Sequence, residues 1–311
     1  MTVQIGFVGL GRMGGNMVAR ILRDSDHEVV AFDSSQEARE RAGDEGAQAV
    51  GSLEELVAAL GAPRTVWIMV PAGEITQQTV ERLGELLEDG DAVVDGGNSK
   101  WTEDRSRAEA LAARGIGYID VGTSGGVWGL QEGYCMMVGG PDEAVARLGP
   151  VLDVLAPPPS EEHGPGWGHM GPTGAGHYVK MVHNGVEYGL MQAYAEGFDL
   201  FDKAPFDLDQ AQIAHLWMQG SVVRSWLCEL AARAFELEGD DLAQLSAHTG
   251  DSGEGRWTIE EAIHHDVPTP VITAALYARF YSRGNGDFTG RVLAALRAQF
   301  GGHATQRRAD G

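Results

Sequence analysis

The sequence predicts an α/β fold, with a doubly wound parallel sheet in the N-terminal part followed by an all-α C-terminal domain. Three observations carry this expectation. Short apolar strands alternate with helical patterns through residue 155, a glycine-rich turn joins the first strand to the first helix, and no strand pattern follows the Pro- and Gly-rich stretch at 157–174. A chain of 311 residues is long enough for two cores, and the domains are placed at 1–173 and 174–311.

Residues 3–10 form the first apolar strand, which runs into Gly9-Leu10-Gly11-Arg12-Met13-Gly14 and a helical pattern over 13–22. A second strand at 27–32 ends in Asp33. This is a dinucleotide fingerprint in its required context. Gly9, Gly11 and Gly14 permit a tight turn and close approach of a pyrophosphate, while Arg12 and Met13 open the helix whose N-terminus receives it. The fold is therefore expected to be of the Rossmann type. A carboxylate at Asp33 would accept hydrogen bonds from the adenosine ribose and repel a 2′-phosphate, and serines rather than an arginine follow it. NAD is the expected cofactor, with NADP as the alternative that Arg12 would support.

Strand and helix patterns then alternate through 47–50, 53–60, 65–70, 75–87, 92–95 and 102–114, the signature of repeated βα units. In such sheets the ligand binds beyond the carboxyl ends of the strands. Val70 and Pro71 lie at one such end, and Asn98, within Asp95-Gly96-Gly97-Asn98-Ser99, lies at another; both are placed to border a nicotinamide ring. A strand at 117–121 leads into Gly122-Thr123-Ser124-Gly125-Gly126-Val127-Trp128-Gly129, where uncovered N–H groups around Ser124, Gly125 and Gly126 suit a carboxylate or a hydroxyl. A strand at 133–140, a helix at 142–155 and the junction complete the domain.

Residues 174–198 read as one long helix. Lys180, His183, Asn184 and Glu187 fall on one of its faces, placing a base, two polar positioners and an acid together. An amphipathic helix with a solvated polar face is the plainer explanation. Gly176, Gly185, Gly189 and Gly197 argue against it, because each costs up to about 1 kcal/mol relative to Ala in an exposed helix but suits one crowded by other backbone.

Composition narrows the function further. The 23 basic and 45 acidic residues give a net charge of −22, which repels nucleic acid and anionic lipid, so any anionic ligand needs a local basic pocket. Cys135 and Cys228 are too few for a disulfide framework, no metal-type Cys/His spacing occurs, and both are expected to pack as small hydrophobes. With no leader-like segment and no long apolar run, a soluble cytoplasmic protein without a metal is expected.

The glycine fingerprint, Asp-Gly-Gly-Asn-Ser, Gly-Thr-Ser-Gly-Gly-Val-Trp-Gly and above all Lys180-Met-Val-His-Asn-Gly-Val-Glu-Tyr-Gly189 together resemble decarboxylating 6-phosphogluconate dehydrogenases over almost the whole chain. Only about 135 residues follow the junction, so the likeness is to the short-chain branch of the β-hydroxyacid dehydrogenase superfamily. The resemblance implies oxidation and decarboxylation of 6-phospho-D-gluconate to D-ribulose 5-phosphate. It casts Lys180 as base and Glu187 as acid, with His183, Asn184, Asn98, Ser124, Gly125 and Gly126 holding the sugar acid. It also implies that Arg256, Arg279, Tyr188 and Thr258 bind the phosphate, and that Arg297 and His303 act across the subunits of a homodimer or a dimer of dimers. Arg256 stands where the family usually has lysine; either cation can hold phosphate. The alternative is a non-decarboxylating dehydrogenase of the 3-hydroxyisobutyrate type, which typically lacks the His-Asn pair followed by an acid. A cofactor-binding regulator on the same fold is a further reading, opposed by the intact Lys180 and Glu187.

Overall fold

The structure, a computed structural model, describes residues 2–301. It falls into two compact units, divided between Met181 and Val182. The first unit is built on β1 (Gln4–Val8), α1 (Arg12–Asp24), β2 (Glu28–Phe32), α2 (Gln36–Asp44), β3 (Gln48–Ala49), α3 (Leu53–Ala59), β4 (Thr65–Ile68) and α4 (Glu74–Leu86). It continues through β5 (Ala92–Asp95), α5 (Trp101–Ala112), β6 (Gly117–Ser124), the short α6 (Gly129–Glu132), β7 (Cys135–Gly139), α7 (Asp142–Leu155) and β8 (Trp167–Gly171). The strands form one sheet in the order β3-β2-β1-β4-β5-β6-β7-β8. Every pairing is parallel except β6 with β7.

The central strands β4 and β5 are buried along their whole length, as a sheet covered on both faces requires. One core joins Phe7 and Trp67 to Met17, Val18 and Ile21 of α1 and to Val145, Leu148, Val151 and Leu152 of α7. The other joins Val8, Ile68 and Val93 to Leu56 and Val57 of α3, Val80 and Leu83 of α4 and Leu111 of α5. Strand order reverses between β1 and β4, and the crevice beyond their carboxyl ends is where a doubly wound sheet receives its ligand.

The sheet is not wholly parallel as expected, because the short connection at 125–134 leaves no room for a crossover helix and β7 returns antiparallel to β6. Two further details differ from the sequence expectation. The stretch 157–174 contains the strand β8, which pairs with β7 although its sequence, Trp-Gly-His-Met-Gly, has no strand pattern. Backbone pairing, including Met136 N–H to the Gly166 carbonyl at 3.0 Å, holds it at the sheet edge, and such pairing leaves no mark in side-chain periodicity. Cys228 is buried as expected, but Cys135 is exposed, because it opens β7 opposite Ser124 at the sheet's end.

The helix α8 (Ala175–Asp202) begins in the first unit and continues into the second. Beyond it the second unit is helical: α9 (Gln210–Met218), α10 (Trp226–Glu238), α11 (Glu254–His264), α12 (Pro270–Ser282) and α13 (Asp287–Gly301). Phe198, Ala214, Cys228, Ala232 and Phe235 make one small core; Tyr188, Ala275 and Leu276 make another. Among the described residues no helix is long and apolar enough to cross a membrane.

Candidate active site

The cofactor end is set by three glycines. Gly9 has φ +93°, a conformation that favours glycine, and its N–H donates to the Phe32 carbonyl at 2.9 Å. A Cβ on Gly14 would stand 2.0 Å from the Gly9 carbonyl oxygen, so α1 packs on the turn only because that position is bare. Gly11, the N-cap of α1, has open space where its Cβ would be. Its side chain-free cap leaves the first N–H groups of Arg12, Met13 and Gly14 to an anion, the arrangement a pyrophosphate fits. A cavity of about 230 Å³ adjoins this turn, lined among others by Gly11, Arg12, Asn16, Arg41 and Glu45.

Asp33, at the end of β2, accepts from Leu10 N–H and from Ser35 N–H, each at 2.7 Å. The carboxylate is thereby fixed beside the glycine turn. Sequence reasoning overlooked Arg39, whose guanidinium donates to the Asp33 and Ser34 carbonyls at 2.6 and 3.2 Å and brings a cation to the same corner. Its place one turn into α2 was the available signal. Val70 and Pro71 follow β4, and the Asn98 turn follows β5. Asp95 holds that turn, accepting from Gly97 N–H at 3.0 Å and from Ser99 Oγ at 2.7 Å, while Asn98 itself is exposed.

At the end of β6, Ser124 meets Gly125 (φ +132°) and Gly126 (φ +54°), so the chain turns through conformations that expose its N–H groups. Lys180 lies on the second turn of α8, within the same unit. A Cβ on Gly122 would come within 2.3 Å of the Lys180 Cβ, so the lysine stem rests directly on the β6 backbone. Partial desolvation pushes the Cys135 thiol up and the Lys180 ammonium draws it back down, which places the lysine within electrostatic reach of the start of β7.

The second unit holds the rest of the helix face. His183 Nδ1 lies 2.9 Å from Asn184 Oδ1 and 3.9 Å from Glu187 Oε2, so His183 touches both of them. Asn184 donates to Glu254 Oε1 at 2.7 Å, and Glu254 in turn accepts from Ser252 Oγ at 2.6 Å. Gly185 is needed because a Cβ there would meet the Thr258 methyl at 2.7 Å, and the Thr258 hydroxyl donates to the Glu254 carbonyl at 2.8 Å.

Three arginines converge in this unit. Arg279 lies 3.5 Å over the Tyr188 ring and donates to the Gly250 carbonyl; Arg256 and Arg283 both grip Asp251, at 2.8 and 2.9 Å. The Arg256 hydrogen bond leads the effects that hold the Asp251 carboxyl down at about 2, outweighing its burial, with Arg283 adding to it. Asp251 and Arg283 escaped the sequence reading, which had no basis for pairing residues so far apart. Arg297 is an exposed residue of α13, and His303 lies outside the described residues.

Two family models cover the chain. The one described as the NAD binding domain of 6-phosphogluconate dehydrogenase matches residues 4–162, and the one described as the 6-phosphogluconate dehydrogenase C-terminal domain matches 176–308. The chain belongs to the 6-phosphogluconate dehydrogenase family. A family member from Haloferax volcanii, named as an NAD(+)-dependent, decarboxylating 6-phosphogluconate dehydrogenase, is 47% identical over 99% of this chain and 100% of its own length. The Plasmodium falciparum 6-phosphogluconate dehydrogenase structure superposes with a TM-score of 0.81 at 26% identity, covering 99% of this chain and 67% of that one. A Mycobacterium tuberculosis 3-hydroxyisobutyrate dehydrogenase shares the fold, with a TM-score of 0.71 at 24% identity over 92% of this chain and 95% of that one. The match to full-length short relatives accords with the short-chain resemblance read from the helical domain.

Proposed function

We propose that the protein oxidises and decarboxylates 6-phospho-D-gluconate to D-ribulose 5-phosphate and CO2, as part of pentose phosphate and gluconate metabolism. Bound NAD supplies the hydride acceptor. Lys180, as the neutral amine, takes the proton of the C3 hydroxyl as hydride leaves C3; as the ammonium it then stabilises the enolate that forms when the β-keto acid loses CO2. Glu187, as the carboxylic acid, delivers a proton to C1 of the enediol. His183 and Asn184 orient the sugar hydroxyls, Ser124, Gly125 and Gly126 the carboxylate end, and Asn98 both sugar and nicotinamide.

The observation that carries this reading is Glu187 in contact with His183, one turn beyond Asn184 on the lysine helix. Plain alcohol oxidation needs no proton donor for carbon, whereas decarboxylation does. Arg256, Arg279, Tyr188 and Thr258 bind the phosphate, and Arg297 and His303 close the site across a homodimer or dimer of dimers. The working domains are 1–173 for the cofactor and 174–311 for substrate and dimerisation, in a cytoplasmic enzyme. The test is CO2 released per NADH formed with 6-phosphogluconate as substrate. A ratio near one supports the assignment; NADH without CO2 favours the 3-hydroxyisobutyrate type.

A further inference from the structure

A buried polar cluster in the first unit takes no part in the chemistry just described. Asp104 and Arg107 enter it from α5, Asp95 and Ser99 from the end of β5, Tyr118 and Asp120 from β6, and His177 from the first turn of α8. All seven are buried. His177 Nδ1 lies 2.7 Å from Asp104 Oδ2. The Tyr118 hydroxyl lies 3.1 Å from Asp104 Oδ1 and 3.0 Å from Asp95 Oδ2, and Asp95 holds Gly97 N–H and Ser99 Oγ. An unbroken polar path therefore joins the Asn98 turn to His177. Asp120 completes the anchorage by accepting from Gly174 N–H at 2.6 Å and His177 N–H at 2.9 Å, which satisfies donors at the N-terminus of α8.

The cluster contains three carboxylates and one arginine, and buried carboxylates need cations. His177 supplies the second. Burial lowers its imidazole pKa, but Asp104 first, then Asp95 and Asp120, raise it further, to about 9. Asp95, Asp104 and His177 are close enough together to suggest a metal site, yet Arg107 lies 3.4 Å from Asp95 and 3.8 Å from Asp104, so the chain provides its own cation there. Among the described residues the buried His177 Nε2 has no hydrogen-bond partner, and a buried polar group left in that state costs about 1–3 kcal/mol. A histidine is thus a poor choice for packing alone at this position. What it brings is the bond to Asp104.

That bond matters because α8 sits on bare backbone. A Cβ on Gly176 would lie 2.4 Å from the Met137 carbonyl oxygen and 2.7 Å from that of Asp120, and Lys180 presses on Gly122 in the same way. With no side-chain layer between helix and sheet, a small rotation of α8 moves Lys180. His177 lies three residues before Lys180, on the same helical face.

We propose that His177 is a positioning residue for Lys180: paired with Asp104, it fixes the rotation of α8 and locks the helix to the Asn98 turn. This deepens the assignment of Lys180 as base and rests on it. The charged and titratable groups around His177 are Asp104 and Arg107 from α5, Asp95 from β5, Tyr118 and Asp120 from β6, and Lys180 on the next turn of its own helix.

The experiment compares wild type, His177→Ala, His177→Asn and Asp104→Asn in steady-state turnover of 6-phosphogluconate with NAD, alongside crystal structures of wild type and His177→Ala. Wild-type turnover tests the activity itself; the variants and the structures test His177. A displacement near 1 Å at a reacting group costs on the order of 10²-fold, so His177→Ala should lower kcat by about 10- to 100-fold while KM for NAD stays within about twofold. His177→Asn, which keeps a donor toward Asp104, should recover most of that loss. The His177→Ala structure should show Lys180 displaced, a readout that holds even if the substrate assignment fails. Soluble His177→Ala with kcat within about threefold of wild type, or His177→Asn impaired as deeply as His177→Ala, would overturn the proposal. An unmoved Lys180 would do the same. Should His177→Ala not fold, Asp104→Asn decides: reduced kcat in soluble protein supports the role, and wild-type kcat refutes it.

Discussion

Gly122→Ala tests how the helix that carries Lys180 is seated. The added Cβ would stand 2.3 Å from the Lys180 Cβ, 2.9 Å from the Gly176 carbonyl oxygen and 3.0 Å from the Lys180 Cγ, whereas ordinary contact begins at 3.4 Å. The helix must therefore retreat from β6 by about 1 Å, and it cannot do so by a rotamer change, because two of the three obstructions are backbone or Cβ atoms. Overpacking of this kind costs about 1–3 kcal/mol in stability, and a base displaced by about 1 Å loses on the order of 10²-fold in rate. Urea unfolding measures the first and kcat for 6-phosphogluconate oxidation the second, with NAD affinity as the control. NAD affinity should barely change, since Gly9, Gly11 and Gly14 lie on a separate turn of the same unit. A Gly122→Ala enzyme that is soluble and turns over within about threefold of wild type would show that Lys180 does not depend on this contact.

Lys180→Met should reduce turnover by at least ~10²-fold with NAD binding retained, and Glu187→Gln should slow ribulose 5-phosphate formation more than hydride transfer, both read from single-turnover kinetics. Wild type should prefer NAD, and Asp33→Asn with Ser34→Arg should raise the NADP to NAD ratio of kcat/KM by at least about tenfold; a wild-type preference for NADP would mean that Arg12 or Arg39 outweighs Asp33. The folded-state pKa of His177, about 9, lies above its ordinary 6.5, so the stability its charge contributes is fully present below pH 6.5 and is lost as pH rises through 9. At about 1.4 kcal/mol per pKa unit this is roughly 3 kcal/mol, visible as a decline in urea stability across that window that His177→Asn lacks. Mixing Lys180→Met subunits with Arg297→Ala, His303→Ala subunits should restore activity if the tail acts across a dimer; no recovery after subunit exchange would leave it acting within its own chain or merely structural.

The sequence alone determined the doubly wound sheet, the glycine turn with Asp33, and the face carrying Lys180, His183, Asn184 and Glu187. Each depends on residues near one another in the chain, where periodicity and turn chemistry act directly. The structure decided what depends on distant segments meeting. Strand β8 exists only through pairing with β7, and the antiparallel course of β7 beside β6 is likewise a property of the assembled sheet. Asp251 holds Arg283 across 32 residues of chain, and Asp104 meets His177 across 73. His177 shared a legible face with Lys180, but its partner and its charge could not be read there, because a buried ion pair is set by which carboxylates the sheet brings beneath the helix and how completely water is excluded from them.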